Sequence, residues 1–186
     1  MRVFIAIDID KVIKQNLADL QSKLQADVKK GDVKWVNPDN MHLTVKFLGE
    51  IKDEQVVEVC NIAKGVASQH EHFDIEVGTV GYFGGKSAKI LWVGAGRDCD
   101  GLIALQQDLE EQLAQAGWPE ENREFAAHLT LCRVRNPQAG LKLAQSTDQY
   151  KDFKLGTFAA AAVTVYQSEL TPSGPVYTVL GRYQLQ

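Results

Sequence analysis

The feature that most constrains this chain is a four-residue pattern that occurs twice. His42-Leu43-Thr44-Val45 returns 86 residues later as His128-Leu129-Thr130-Leu131. Side chains alternate faces along a strand, so each copy puts an imidazole and a hydroxyl on one face and two aliphatic groups on the other. The aliphatic face can enter a core while the polar face lines a cleft. The surroundings repeat as well: a buried strand opening at Val3 or Ile90, a helix of four or five turns, a polar loop, then the motif. A period this long, present twice, excludes a solenoid. It predicts two similar lobes about a pseudo-two-fold axis, with His42 and His128 brought together across it. No linker or low-complexity stretch divides the halves, so residues 1–186 are expected to form one domain of two intertwined lobes. The repeat covers about 3–48 and 90–134.

Taken in order, Val3 to Ile9 reads as a buried strand. Ile13, Leu17, Leu20, Leu24 and Val28 form one helical stripe, stopped by Gly31. Trp35-Val36 leads through a turn at Asn37-Pro38-Asp39-Asn40 to the first motif strand, 41–48. Asp53 is expected to cap a helix over 54–68 whose inner face is Val56, Cys60, Ala63 and Ala67. Strands follow at Phe73 to Val80 and Lys89 to Val93, around a turn at Gly84-Gly85-Lys86-Ser87. Leu102, Leu105, Leu109, Leu113 and Ala116 mark a long helix ending at Gly117. A polar loop, Pro119 to Arg123, precedes the second motif strand, 125–134. Residues 136–150 read as loop with a short helix. Phe158 to Tyr166 and Val176 to Tyr183 read as strands joined around Thr171-Pro172-Ser173-Gly174-Pro175.

Composition removes several function classes. A net charge of −4 argues against tight non-specific duplex binding, which needs broad phosphate neutralisation. Basic residues nevertheless gather near the motifs: Lys29, Lys30, Lys34 and Lys46 near the first, Arg123, Arg133 and Arg135 near the second. A small anion in a locally basic cleft is compatible with that distribution. No apolar run approaches the roughly 20 residues of a membrane span. The N-terminus runs straight into a strand without a signal-peptide cleavage site, and the three cysteines form neither an even set nor a CxxC pair. A cytoplasmic location is expected. Gly85-Lys86-Ser87 lacks the first glycine of a P-loop and leads into a strand. Gly94-Ala95-Gly96 has Cys99 where a dinucleotide fingerprint needs its third glycine. His70 and His72 read as loop surface. No acidic or cysteine ligand recurs beside His42 and His128, so no metal or other cofactor is expected.

The paired motifs resemble those of the 2H phosphoesterase superfamily. Within it, His42-Leu-Thr-Val-Lys-Phe-Leu-Gly49 and Phe125-Ala-Ala-His-Leu-Thr-Leu-Cys-Arg133 resemble the bacterial RNA 2′,3′-cyclic phosphodiesterases, historically called 2′-5′ RNA ligases. The similarity extends to Arg2-Val-Phe-Ile-Ala-Ile7, to Tyr166-Gln-Ser-Glu-Leu-Thr-Pro-Ser-Gly174 and to Tyr177, and so covers nearly the whole chain. Ala127 departs from the family, which usually has Pro before the second histidine; the change removes no chemical group. The resemblance implies a two-lobed α+β fold, with antiparallel sheets flanking a central V-shaped cleft and helices outside. It implies metal-free hydrolysis of RNA 2′,3′-cyclic phosphate ends, tRNA-like ends included, to 2′-phosphates, with reversible 2′-5′ ligation as a further activity. The protein is expected to act as a monomer.

Opening a cyclic phosphate needs a water deprotonated on one side and a leaving alkoxide protonated on the other. Histidine suits both tasks because its ordinary pKa lies near the working pH. By the resemblance His42 is the proton donor and His128 the proton acceptor, although the near-symmetric pattern does not itself fix the assignment. Thr44 and Thr130 are placed to bind the phosphate oxygens, and the resemblance adds Arg133. Strict alternation puts Cys132 rather than Arg133 on the His128 face, and a bulge at 132–133 would be needed to reverse that. Lys46 shares the His42 face under the same alternation and is a candidate phosphate contact. Phe47 is a candidate base contact, with a core role the alternative. Two rival readings remain: a non-catalytic RNA-end-binding module, and a phosphodiesterase for small cyclic nucleotides or ADP-ribose cyclic phosphate.

Overall fold

A computed structural model describes residues 1–172 and 174–186; Ser173, in the expected Thr171–Pro175 turn, lies outside the described residues. The fold is α+β, with two antiparallel sheets and four α-helices among the described residues. The first sheet has the order β3-β1-β8-β9, built from His42–Glu50, Arg2–Asp8, Ala162–Thr171 and Gly174–Gln184. The second has the order β2-β6-β5-β4-β7, built from Val33–Trp35, His128–Val134, Ala88–Ala95, Phe73–Gly84 and Lys154–Ala160. β1 and β5 are the repeated strands, and each pairs antiparallel with its own motif strand, β3 or β6. The aliphatic residues of the two motifs, Leu43, Val45, Leu129 and Leu131, are all buried.

The helices bind the lobes crosswise. α1 (Lys11–Gln25) follows β1 of the first sheet but packs on β7 of the second, where Asn16 Nδ2 donates to the Leu155 carbonyl at 3.0 Å. α3 (Asp100–Gln115) follows β5 of the second sheet and reaches β3 of the first. α2 (Val56–Ala67) covers β8 and β9, and α4 (Pro137–Ser146) covers β5. α1 is stopped short of Val28, and Gly31 takes the left-handed φ of +98° beyond it.

Several local expectations change once tertiary partners enter. The short strand β2 was not foreseen; it pairs with β6, so the segment just before the first motif crosses into the other lobe's sheet. The apolar run Phe158–Tyr166 is not one strand. It breaks at Ala161, where the chain leaves β7 in the second sheet for β8 in the first. Asp53 does not cap α2: Gln55 Oε1 accepts from the Lys52 N–H at 2.9 Å instead, at the start of a 3₁₀ turn, and the buried face of α2 is Val59, Ala63, Val66 and Ala67. His70 is not free surface. Its Nε2 lies 2.7 Å from Asp108 Oδ2 on α3, and its carbonyl accepts from the N–H of Gln186.

Gln21 shows how the crossed helices hold the motif strands. It is buried on α1, and its amide donates to the carbonyls of Val36 and Leu131 at 2.8 and 2.9 Å. Gln21→Leu keeps the volume but removes one donor from each carbonyl, leaving the Leu131 carbonyl only the Val36 N–H. The loss should be on the order of 1–3 kcal/mol of folding stability, as for buried polar groups left short of a partner. Urea unfolding of the variant against the parent checks it; an unchanged midpoint would mean Gln21 is only a filler.

Candidate active site

Both motif strands are interrupted at the same place. On β3 the register runs Asp8↔His42, Ile7↔Leu43, Ala6↔Thr44, then jumps to Ile5↔Lys46 and Phe4↔Phe47, leaving Val45 as an extra residue. On β6 it runs Gly94↔His128, Val93↔Leu129, Trp92↔Thr130, then jumps to Leu91↔Cys132 and Ile90↔Arg133, leaving Leu131 extra. A bulge shifts the period-2 alternation by one, so residues beyond it change faces. Phe47 and Arg133 thereby join the face of the histidines and threonines, and both are exposed. Cys132 turns inward, where burial pushes its thiol up to about 12.

The same bulge corrects the reading of Lys46. Instead of sharing the His42 face it is 7% exposed, and its Nζ lies 2.5 Å from Glu110 Oε1 on α3 and 2.8 Å from the Pro119 carbonyl. An ammonium held between a carboxylate and a carbonyl in the interior is not a phosphate contact.

His42 sits in an aromatic box. Phe4 stacks on it at 4.6 Å, Tyr177 meets it edge-on at 5.0 Å, and Tyr166 lies at 5.8 Å. Behind it, Asp8 accepts from the Tyr166 hydroxyl at 2.5 Å and from Thr164 Oγ1 at 3.0 Å, with Arg182 at 3.8 Å. Burial pushes the imidazole down to about 4, against the opposing pull of the Asp8 carboxylate and the Asn40 backbone. Burial and the bond to Asp8 hold the Tyr166 phenol protonated well above its ordinary range.

His128 has a different setting. Its Nδ1 lies 2.7 Å from the Ala126 carbonyl. A carbonyl only accepts, so Nδ1 carries the proton and a neutral ring keeps its lone pair on Nε2. Phe83 meets this ring edge-on at 5.1 Å, with Trp92 at 6.2 Å.

The two motif strands come together where the sheets meet. β3 and β6 are in contact, and the N–H of Val36, six residues before His42, donates to the Leu131 carbonyl at the second bulge at 2.9 Å. Arg133 of the second lobe also lies near Tyr177 of the His42 box, where its charge opposes the burial that raises that phenol. Among the described residues no cluster of three or more His, Cys, Asp or Glu is arranged to hold a metal ion. A separate hollow of about 800 Å³ between α2 and α3 holds none of the motif residues. No helix of the described residues is long and apolar enough to cross a membrane.

Against known proteins, the family described as LigT like Phosphoesterase matches residues 7–92 and 97–177, which takes in both motifs. The chain belongs to the LigT-like phosphoesterase family. A relative from Methanocaldococcus jannaschii is 34% identical over 181 residues, covering 97% of this chain and 98% of its own. One from Thermotoga maritima is 34% identical over 193 residues, covering 100% and 96%. Both are named RNA 2′,3′-cyclic phosphodiesterase. Among solved structures, the TT0787 protein of Thermus thermophilus has the same fold, with a TM-score of 0.82, 24% identity and 100% and 98% coverage. E. coli LigT complexed with 3′-AMP matches at a TM-score of 0.75 and 26% identity, covering 99% of this chain and 97% of its own.

Sequence reasoning missed the supporting groups Asp8, Phe4, Phe83 and Trp92. A signal existed for Asp8, an acid closing an otherwise apolar strand, but only the register shows that it stands opposite His42.

The depressed pKa of His42 sets a pH dependence of stability. In the unfolded chain this ring protonates near its ordinary 6.5, whereas in the fold it stays neutral until about 4. Between those values the unfolded state binds more protons, so stability falls as pH is lowered through that window. The His42 contribution approaches roughly 1.4 kcal/mol per pH unit. Urea unfolding of the parent and of His42→Gln across the window should show the variant losing less stability toward low pH. Equal slopes would place His42 in water.

Proposed function

We propose that this protein hydrolyses the 2′,3′-cyclic phosphate ends of RNA to 2′-phosphates, with His42 and His128 as the proton-transfer pair. The observation that supports the reading is the duplicated bulged strand, which turns His42 and Thr44 to one face of β3 and His128, Thr130 and Arg133 to one face of β6. The names of the relatives supply the substrate class. His128, its Nδ1–H committed to Ala126, takes a proton from water through Nε2. His42 protonates the leaving 3′-oxygen. A phosphate anion beside His42 adds to the pull of Asp8 toward the charged ring, so the substrate helps to load its own acid. Thr44 and Thr130 donate to the phosphate oxygens, Arg133 opposes the charge that builds on them, and Phe47, 62% exposed, stacks on the terminal base.

The neutral state of His42 in the free protein favours one specific alternative, in which the roles are exchanged. Leaving-group chemistry separates the two. His42→Ala and His128→Ala should each lower kcat/KM about 10²–10⁴-fold on a 2′,3′-cyclic nucleotide. A substrate with a better 3′ leaving group should partly rescue only the acid variant, expected to be His42→Ala. Rescue of His128→Ala instead exchanges the roles, parent rates in both variants would leave the histidines structural, and no turnover by the parent would leave a binding module.

The hydroxyls and the absence of a metal requirement are tested separately. Thr44→Val and Thr130→Val keep the shape and remove one donor each, so kcat should fall about 10²–10³-fold. Activity of the parent on RNA with a cyclic phosphate end should survive EDTA. Loss restored by Zn²⁺ or Mn²⁺ would overturn the two-histidine mechanism.

A further inference from the structure

Basic residues gather near both motifs in the chain, and the fold brings two of them side by side. Lys34 on β2 stands directly opposite Arg133 on β6, between the pairs Val33↔Val134 and Trp35↔Cys132. Val33 and Cys132 are buried, whereas Lys34 and Arg133 are exposed. Residues opposite each other in a ladder share a face, so Lys34 joins the face of His128, Thr130 and Arg133. Like charges in such a pair repel. Among the described residues neither side chain has an ion pair or hydrogen bond to offset the repulsion. Asp32, two residues before Lys34, gives its carboxylate to Asn136 Nδ2 at 3.1 Å. Two adjacent cations without a carboxylate suit an anion from outside the chain.

The place of the pair in the cleft decides which anion. The Leu131 carbonyl accepts from the Val36 N–H, ahead of His42, and Lys46, past the first bulge, reaches the Pro119 carbonyl, ahead of His128. The motif strands therefore pass each other in opposite senses. Arg133 comes to the His42 end of β3, near Tyr177, whose ring meets His42 at 5.0 Å. Phe47 lies toward the other end of that strand. In a nucleotide the base sits on C1′, beside C2′, and the 5′-oxygen extends from C4′, beside C3′. With the base on Phe47 and His42 at the 3′-oxygen, the 5′-oxygen points past His42 toward Arg133 and Lys34. An RNA strand carries its next phosphate on that oxygen, and a nucleoside cyclic phosphate carries none.

We propose that Lys34, beside Arg133, binds the phosphodiester that joins the terminal nucleotide to the rest of the RNA strand. The proposal rests on the two-histidine reading above and makes the preferred substrate a strand rather than a mononucleotide. Arg133 serves the reacting phosphate, and Lys34, one strand further out, serves the next one. The contact takes no part in bond-making; it positions the strand so that the cyclic end meets the histidines. Arg2 of the first lobe is also near Tyr177, but Glu50 stands opposite it on β3. Lys34 is the cation with no carboxylate across its ladder.

The test gives the full chain three substrates. They are 2′,3′-cyclic AMP, adenylyl-adenosine with a 2′,3′-cyclic phosphate end, and that dinucleotide with an uncharged methylphosphonate linkage. The parent should show its highest kcat/KM on the charged dinucleotide. Lys34→Gln should lower that value roughly 2- to 5-fold, the range of one exposed ionic contact, and leave the other two substrates at parent rates. Lys34→Arg should keep the preference. Raised salt should erase it in the parent, because the contact is exposed. If Lys34→Gln lowers all three substrates alike, Lys34 serves the reacting phosphate or the fold, and the proposal is overturned. It is overturned as well if the parent does not distinguish the charged from the uncharged linkage, or if Lys34→Gln leaves that distinction intact. If the parent turns over none of the three, the two-histidine reading itself has failed.

Discussion

One extra residue in each motif strand decides which side chains reach the cleft. Without the bulges at Val45 and Leu131, period-2 alternation would send Lys46 and Cys132 to the polar face and bury Phe47 and Arg133. With them, one face of β3 holds His42, Thr44 and Phe47, and one face of β6 holds His128, Thr130 and Arg133. A bulge also frees a carbonyl from the ladder, and that carbonyl needs another donor. At Leu131 the donors are the Gln21 amide and the N–H of Val36, which come from the first half of the chain. The second motif is therefore shaped partly by the first lobe.

The reverse brace exists too. Ile13, Leu20 and Leu24 of α1 match Leu102, Leu109 and Leu113 of α3 at a constant offset, which makes Glu110 the counterpart of Gln21. Glu110 holds Lys46, the residue just beyond the first bulge, and accepts from the Glu121 N–H in the loop that runs to His128. Each repeated helix thus carries one polar residue that fixes the other lobe's motif strand. A buried ion pair is a poor source of net stability but a good fixer of position, because either partner alone would leave an uncompensated charge. Cleft geometry and the joining of the lobes are consequences of the same contacts.

This explains what the sequence could and could not reveal. The duplicated elements and the histidine and threonine faces were legible because they depend on local period and on spacing along the chain. So was the condition for Arg133, since alternation itself said that a bulge would be needed. Lys46 was misread because nothing local distinguishes a bulged strand from a regular one; the cause is the partner across the ladder. β2 and the break at Ala161 were missed for a related reason. Both are points where the chain changes sheets, and a continuous apolar run such as Phe158–Tyr166 carries no mark of which sheet it serves.

Symmetry between the motif strands would, left complete, give two histidines in equivalent surroundings. The difference between them comes from the residue across the ladder. Asp8 brings a carboxylate, held by Tyr166 and Thr164, behind a buried and ring-stacked His42. Gly94 brings no side chain behind His128, which instead takes its orientation from its own strand's approach, at Ala126. One imidazole is consequently costly to charge although a negative group stands behind it. The other is held in a single tautomer beside an open aromatic wall. A duplicated strand supplies the pair, and the unlike residues opposite it make the pair chemically unequal.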